Sequence, residues 1–340
     1  MFIKRVVAFF TAVLSILSGF LGFGTIEADK VESFRVSTYV VADYVQDINS
    51  LHSEDFDIIT DVIVFGTATF DNEGNVHINE QSLEKALSNL RAVIGERDIH
   101  MTLNILGPGG HTDSDVWEDQ MEAQSNEQNK AFASGVLEDN IIAVLDKYDL
   151  DGIHFDYEHP VSNKAWIKFN SFLVSMGKKL GERSLGVALC DWNLKLSTQA
   201  LKYVDTIEVM LYDIFDGDGR HATTETMKEN CKQIGLSGIP YEKINIGLPF
   251  YSRPTDRGAY WYSYSGCIDG IDENGFYTDE NIGKTFWFNT PDVIAEKTDF
   301  AINSGYGGVM IWHYSCDFAS SDERSLLGAI GMEIENSQNN

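Results

Sequence analysis

The sequence predicts an α/β fold, a (β/α)8 TIM barrel forming a single domain with a short insertion after its seventh strand. Three observations lead there. Eight short β-like runs alternate with amphipathic helical patterns along residues 29–340, the rhythm of a barrel rather than of segregated strands and helices. No G-x-G-x-x-G follows the first run, so an open dinucleotide-binding sheet has no support. The two stretches that break the rhythm both follow C-terminal ends of predicted strands, the side on which barrels build their sites.

In order, the predicted strands are Phe34–Val41, Val62–Phe70, His100–Leu106, Gly152–Glu158, Leu185–Leu189, Thr206–Tyr212, Ile244–Phe250 and Gly308–Trp312. Helical periodicity lies between them, clearest at Gln81–Val93, Asn129–Lys147, Asn163–Leu180, Thr224–Ile234 and Pro291–Ile302. Thr290-Pro291-Asp292 is a good helix start, with proline in the first turn. Gly107–Asn129 reads as a long polar loop. Ser252–Phe286, rich in Tyr, Gly and Asp, reads as a substrate wall or a surface insertion.

A length of 340 residues suits one barrel, and 43% hydrophobic content supplies a core. The formal charge of −27 repels phosphate backbones and anionic membrane surfaces, which argues against nucleic acid as a partner. A neutral polysaccharide fits better, because its recognition rests on aromatic platforms and hydrogen bonds. Lys4 and Arg5 precede an uncharged apolar run from Val6 to Phe23, so residues 1–28 read as an export signal with processing near Gly24 or after Ala28. The run is also nearly long enough to remain as a membrane anchor. The expected location is extracellular, released or anchored.

Cys190, Cys231, Cys267 and Cys316 lie far apart with no C-x-x-C pair, so a zinc site is not expected. Disulfides and isolated buried thiols both stay open. The eight histidines include no H-E-x-x-H spacing, so neither a metal nor another cofactor is expected. No heptad pattern appears, and a monomer is the expectation.

The informative segment is Asp151-Gly-Ile-His-Phe-Asp-Tyr-Glu158. Alternate side chains of a strand share a face, so His154, Asp156 and Glu158 point inward while Ile153, Phe155 and Tyr157 face the outer helices. Each inward pair is spaced by about 6–7 Å of backbone rise. Three titratable groups then stack inside the barrel, with Glu158 at the outlet. Acids in such a column raise one another's pKa by desolvation and like charge, which suits a general acid near neutral pH. Inward polar residues also form inert hydrogen-bond networks, but acids ending at a strand outlet favour chemistry.

This segment resembles the D-G-x-D-x-D-x-E motif of glycoside hydrolase family 18, the chitinases and endo-β-N-acetylglucosaminidases. Four more segments are similar to the family in its own order. They are Asn104-Ile-Leu-Gly-Pro-Gly-Gly110, Val209-Met-Leu-Tyr-Asp213, Ile246-Gly-Leu-Pro-Phe-Tyr251 and Gly307-Gly-Val-Met-Ile-Trp312. The resemblance implies hydrolysis with retained configuration, the substrate's own 2-acetamido oxygen serving as nucleophile, a departure from the two-carboxylate scheme. It implies Glu158 as acid and then base, Asp156 orienting the acetamido N–H, and Tyr212 holding the acetamido oxygen with Asp213 nearby. Trp312 would lie under the sugar. Trp192, Tyr251, Tyr39 and Phe65 are further candidate substrate-binding residues.

His154 departs from the pattern, since the family usually has an aspartate there. An imidazole at that place is expected to donate a hydrogen bond to Asp156, and to weaken activity or shift it in pH. The implied substrate is an N-acetylglucosamine-containing glycan. Chitin or its oligomers come first, N-glycan cores second, and a lectin-like protein that binds without turnover stays open.

Overall fold

The computed structural model describes residues 34–158 and 160–339. The leader read in residues 1–28 lies outside the described residues. Eight parallel strands form the barrel: β1 (Arg35–Val41), β2 (Asp61–Phe65), β3 (His100–Leu106), β4 (Gly152–Asp156), β5 (Ser184–Cys190), β6 (Thr206–Met210), β7 (Ile244–Pro249) and β8 (Gly308–Trp312). Each pairs with its sequence neighbours, and β1 pairs with β8, which closes the ring. Around it run α1 (Glu80–Ile94), α2 (Trp117–Phe132), α3 (Leu137–Tyr148), α4 (Asn163–Leu180) and α5 (Thr224–Ile234). The short α6 (Tyr264–Cys267), then α7 (Pro291–Asn303) and α8 (Leu326–Gln338) complete the α-helices among the described residues.

Strand alternation divides the apolar side chains into two cores. Outward residues such as Val62, Val64, Leu103, Ile105, Val187, Ile246 and Val309 pack under the helices. Inward Tyr39, Ile63 and Met310 form a separate small cluster, against which Phe65, Met210, Tyr212 and Trp312 pack at the mouth. Lower in the lumen the fill is polar. Asn245 donates to Ser37 Oγ at 3.1 Å and to Glu208 Oε1 at 2.9 Å.

Local chemistry fixes the helix starts. Ser162 and Thr223 side chains accept from Ala165 and Thr226 backbone amides, satisfying donors that lack intrahelical partners. Proline opens α7, where its missing N–H costs nothing.

Three expectations are corrected. The predicted strand Val62–Phe70 breaks at Gly66, whose φ is 88°, and Ala68–Phe70 turns into a hairpin with Val76–Ile78. The predicted loop Gly107–Asn129 contains most of α2. The predicted helix Asn129–Lys147 is in fact the end of α2 and all but the last residue of α3, separated by a turn at Gly135 with φ 77°. Helix α2 escapes a periodicity argument because Ser125, Gln128 and Asn129 share its buried face with Ala131 and Phe132.

The stretch after β7 is a small α+β insertion. Tyr251–Ser252 pairs with Tyr262–Ser263, α6 follows, and Phe276–Asp279 forms a hairpin with Lys284–Trp287. The four cysteines are free thiols, three of them buried.

Candidate active site

The side chains of β4 sort as alternation requires. Phe155 meets Phe172 at 5.2 Å between ring centres, and Tyr157 stacks on Phe169 at 4.0 Å. These contacts anchor the outer face of β4 to α4 and turn His154 and Asp156 into the lumen. Glu158 stands two residues past the end of the strand, half-buried at the mouth.

A cavity of about 290 Å³ opens there. Asp156 and Glu158 line one side, and Tyr39, Phe65, Tyr212, Asp213, Tyr251 and Trp312 much of the rest. Eight sequence-predicted residues therefore meet in one place. A second cavity, of about 320 Å³, lies on the other side of the same two carboxylates, walled by Gly107, Gly109, Gln124, Ser125, Gln128 and Tyr157. The acid pair is thus reached from two sides.

Burial, then the charge of Glu158, then a hydrogen bond with Glu158 push the Asp156 carboxyl well above the usual carboxylate range. Asp156 therefore holds a proton more tightly than an ordinary carboxyl. Its Oδ1 has no hydrogen-bond partner. Burial likewise raises Tyr212 and Tyr39, so both phenols keep their protons and can donate.

Edge-on contacts hold the Trp312 indole, from Tyr39 at 5.1 Å and Phe65 at 5.1 Å. Such arrangements match the positive ring edge to the negative ring face. Tyr212 finds room beside β7 because residue 247 is glycine; a Cβ there would lie 3.0 Å from the Tyr212 ring.

Asp213 has a left-handed backbone, φ 59°, which turns its carboxylate toward a cluster of donors. Arg253 Nη2 donates at 2.7 Å and Tyr251 Oη at 2.7 Å, and His221 Nε2 lies 3.2 Å away. Burial alone would raise its pKa. Hydrogen bonds from His221, Arg253 and Tyr251 overcome that and hold Asp213 well below the usual carboxylate range. One carboxyl in this cavity is thus raised and another lowered, a separation that assigns different chemical jobs.

Two candidates lie elsewhere. His154 is 1% exposed and is not among the residues that line the cavity. It also makes no hydrogen bond to Asp156: Nδ1 is 3.4 Å from Tyr39 Oη and 3.3 Å from Asn104 Nδ2, while Nε2 has no partner. The expected bond fails because the ring points across the lumen rather than along the strand. Burial lowers the His154 pKa to about 3, so the imidazole is neutral. Trp192 is 55% exposed, meets Trp117 edge-on at 6.1 Å and is not among the residues that line the cavity.

Arg253 and Trp261 also line the cavity, and sequence reasoning did not assign them to it. Arg253 had a signal, since it stands two residues after Tyr251 in an extended segment. Trp261 had the aromatic run Tyr260-Trp261-Tyr262 in the stretch read as a substrate wall or surface insertion; it reaches the mouth from there and stacks between Tyr251 at 5.3 Å and His313 at 5.7 Å.

Comparison with known proteins gives this geometry a context. The family model described as "Glycosyl hydrolases family 18" matches residues 35–317. Among curated proteins, Chitinase C of Streptomyces lividans is 25% identical, and the match covers 51% of this chain and 36% of that protein. Endochitinase 1 of Metarhizium robertsii is 22% identical, with 55% and 56% covered. The chain thus spans little more than half, or less, of the length of these two relatives.

Among solved structures, a chitinase from Bacteroides thetaiotaomicron aligns with TM-score 0.68 at 23% identity, covering 91% of this chain and 98% of that one. The class V chitinase of Nicotiana tobaccum aligns with TM-score 0.67 at 16% identity, covering 87% and 98%. These alignments carry the barrel fold. With five motif segments in order and the family match over most of the chain, the chain belongs to glycosyl hydrolases family 18.

Proposed function

We propose that this chain is a glycosidase that cleaves β-1,4 linkages between N-acetylglucosamine residues, as in chitin or its oligomers, with Glu158 as the acid and then the base. The observation that carries the reading is the Asp156–Glu158 pair at the barrel mouth, opening onto an aromatic cavity that Trp312 lines. Glu158 protonates the leaving oxygen and later takes a proton from water. Asp156 and Tyr212 orient the 2-acetamido group so that its carbonyl oxygen attacks the anomeric carbon as that bond breaks. The positive charge that develops there is offset by the carboxylate that Glu158 becomes once it has given up its proton.

Asp213, anchored by Arg253 and Tyr251, presents a fixed anion to sugar hydroxyls. Trp312 offers an indole to the apolar C–H face of a pyranose. Outside the cavity, Trp192 and Trp117 form an exposed aromatic pair suited to a sugar farther along the chain. The chitinase names of the relatives support chitin over N-glycan cores.

Mass spectrometry of products from N-acetylglucosamine oligomers, their de-N-acetylated counterparts and a high-mannose glycopeptide tests this reading. Oligomer cleavage that requires the acetyl group is expected. Release from the glycopeptide alone would move the protein to N-glycan cores, and equal cleavage of de-N-acetylated oligomers would exclude substrate assistance.

A further inference from the structure

His154 is a buried imidazole that the proposed reaction does not use, and its surroundings are specific. On one side, Nδ1 faces Tyr39 Oη at 3.4 Å and Asn104 Nδ2 at 3.3 Å. Nδ1 is therefore the ring atom that meets both neighbours, while Nε2 has no partner. On the other side stands Gly186 of β5, paired directly with His154 across the ladder. A Cβ at residue 186 would collide with Cδ2 of His154 and lie 3.1 Å from Nε2. The imidazole occupies space that only glycine leaves.

Tyr39 transmits whatever happens at His154 to the cavity. Its ring meets His154 edge-on at 5.7 Å and Trp312 at 5.1 Å. Asp156, two residues along β4, receives nothing from His154, and its carboxyl is tied to Glu158.

We infer that His154 is a positioning residue: seated in the space left by Gly186, it supports Tyr39 and Asn104 beneath the cavity and leaves Asp156 to hydrogen-bond Glu158 alone. The inference rests on the reading of Glu158 as the acid. A shifted ring at this depth moves Tyr39, and with it the indole in the cavity, where displacements near 1 Å are costly to rate.

A mutant cycle tests it. Gly186→Ala pushes the ring toward Tyr39 and is expected to lower kcat by about tenfold or more. His154→Leu, which removes the Nδ1 contacts, is expected to do the same. His154→Asn keeps a polar atom near the place of Nδ1 and vacates the edge facing Gly186. It should recover most of the rate, and Gly186→Ala added to it should cost less than about threefold. Thermal unfolding of each variant separates lost rate from lost fold.

Equal cost of Gly186→Ala in both backgrounds, or a His154→Leu variant with unchanged kcat, would overturn the assignment. Glu158→Gln in the same series keeps the two ideas apart. If it stays active, the reading of the acid fails; if it is inactive while the cycle is additive, only the His154 assignment fails. The ¹⁵N NMR signature of His154 needs no substrate: a neutral ring held in a single tautomer is expected, and a ring exchanging between tautomers would contradict a fixed seat.

Discussion

Asp156 and Asp213 both line one cavity, yet their surroundings drive them apart. Asp156 has Glu158 beside it and burial around it, and is raised. Asp213 has Arg253, Tyr251 and His221, and is lowered. Asp156→Asn keeps the shape but replaces the acid that shares a hydrogen bond with Glu158. Its kcat on chito-oligosaccharides is expected to fall by about tenfold to a hundredfold, with KM moving less; an unchanged kcat in steady-state assays would show Asp156 to be filler. Trp192→Ala belongs to the same scale and has the opposite signature. A rim platform contributes binding, so KM for long oligomers should rise with kcat nearly constant, and the shortest substrates should be indifferent. At this scale the sequence was informative about which side chains point inward, because strand alternation is strict. It was silent on ring direction, so the bond from His154 to Asp156 was expected and is absent.

Elements show where periodicity speaks and where it does not. Helices α4 and α5 and strands β3 and β8 have the bounds that their apolar spacing predicts. Helix α2 was hidden, because its buried face is largely amide and hydroxyl. It packs on the segment after β3 through glycine: a Cβ at Gly110 would run into the backbone of Ala123 and Gln124. Gly110→Ala must therefore displace the helix, at a cost of about 1–3 kcal/mol, and should also distort the cavity formed by Gln124 and Gln128 behind Glu158. A lowered Tm together with reduced kcat is expected; a Tm equal to that of the parent would mean that the helix moves freely there. Trp261 shows the complementary limit. The insertion that carries it was legible as an interruption rich in aromatics, but its docking over Tyr251 and His313 depends on tertiary packing that no local pattern encodes.

For the whole molecule, the barrel lumen sets the response to pH. Glu208 is 1% exposed, accepts one hydrogen bond from Asn245, and has its other carboxyl oxygen without a partner. Burial raises its pKa from 4.5 to about 8. A carboxyl with a raised folded-state pKa stabilises the fold while both states are protonated, and that contribution is lost as pH rises toward the folded value. Stability should therefore decline between about pH 4.5 and 8, by an amount on the order of a few kcal/mol from this group. Glu208→Gln, neutral throughout, should flatten the decline in denaturant titrations; an equal slope in parent and variant would place the titration elsewhere. The closed ring of eight strands was legible as a whole because each strand carries its own apolar signal and the order is simple. The polar lumen was not, since one buried glutamate bonded to an asparagine from the next strand leaves no local mark in sequence.

In the proposed reaction Glu158 delivers the proton at a mouth that holds an N-acetylglucosamine unit. Turnover of chito-hexaose by the parent protein and by Glu158→Gln tests this, with oligosaccharide affinity followed separately by tryptophan fluorescence. The expected result is a fall in kcat of at least about a hundredfold while affinity stays within about threefold. A variant that cleaves the oligomer at the parent rate would exclude Glu158 as the proton donor.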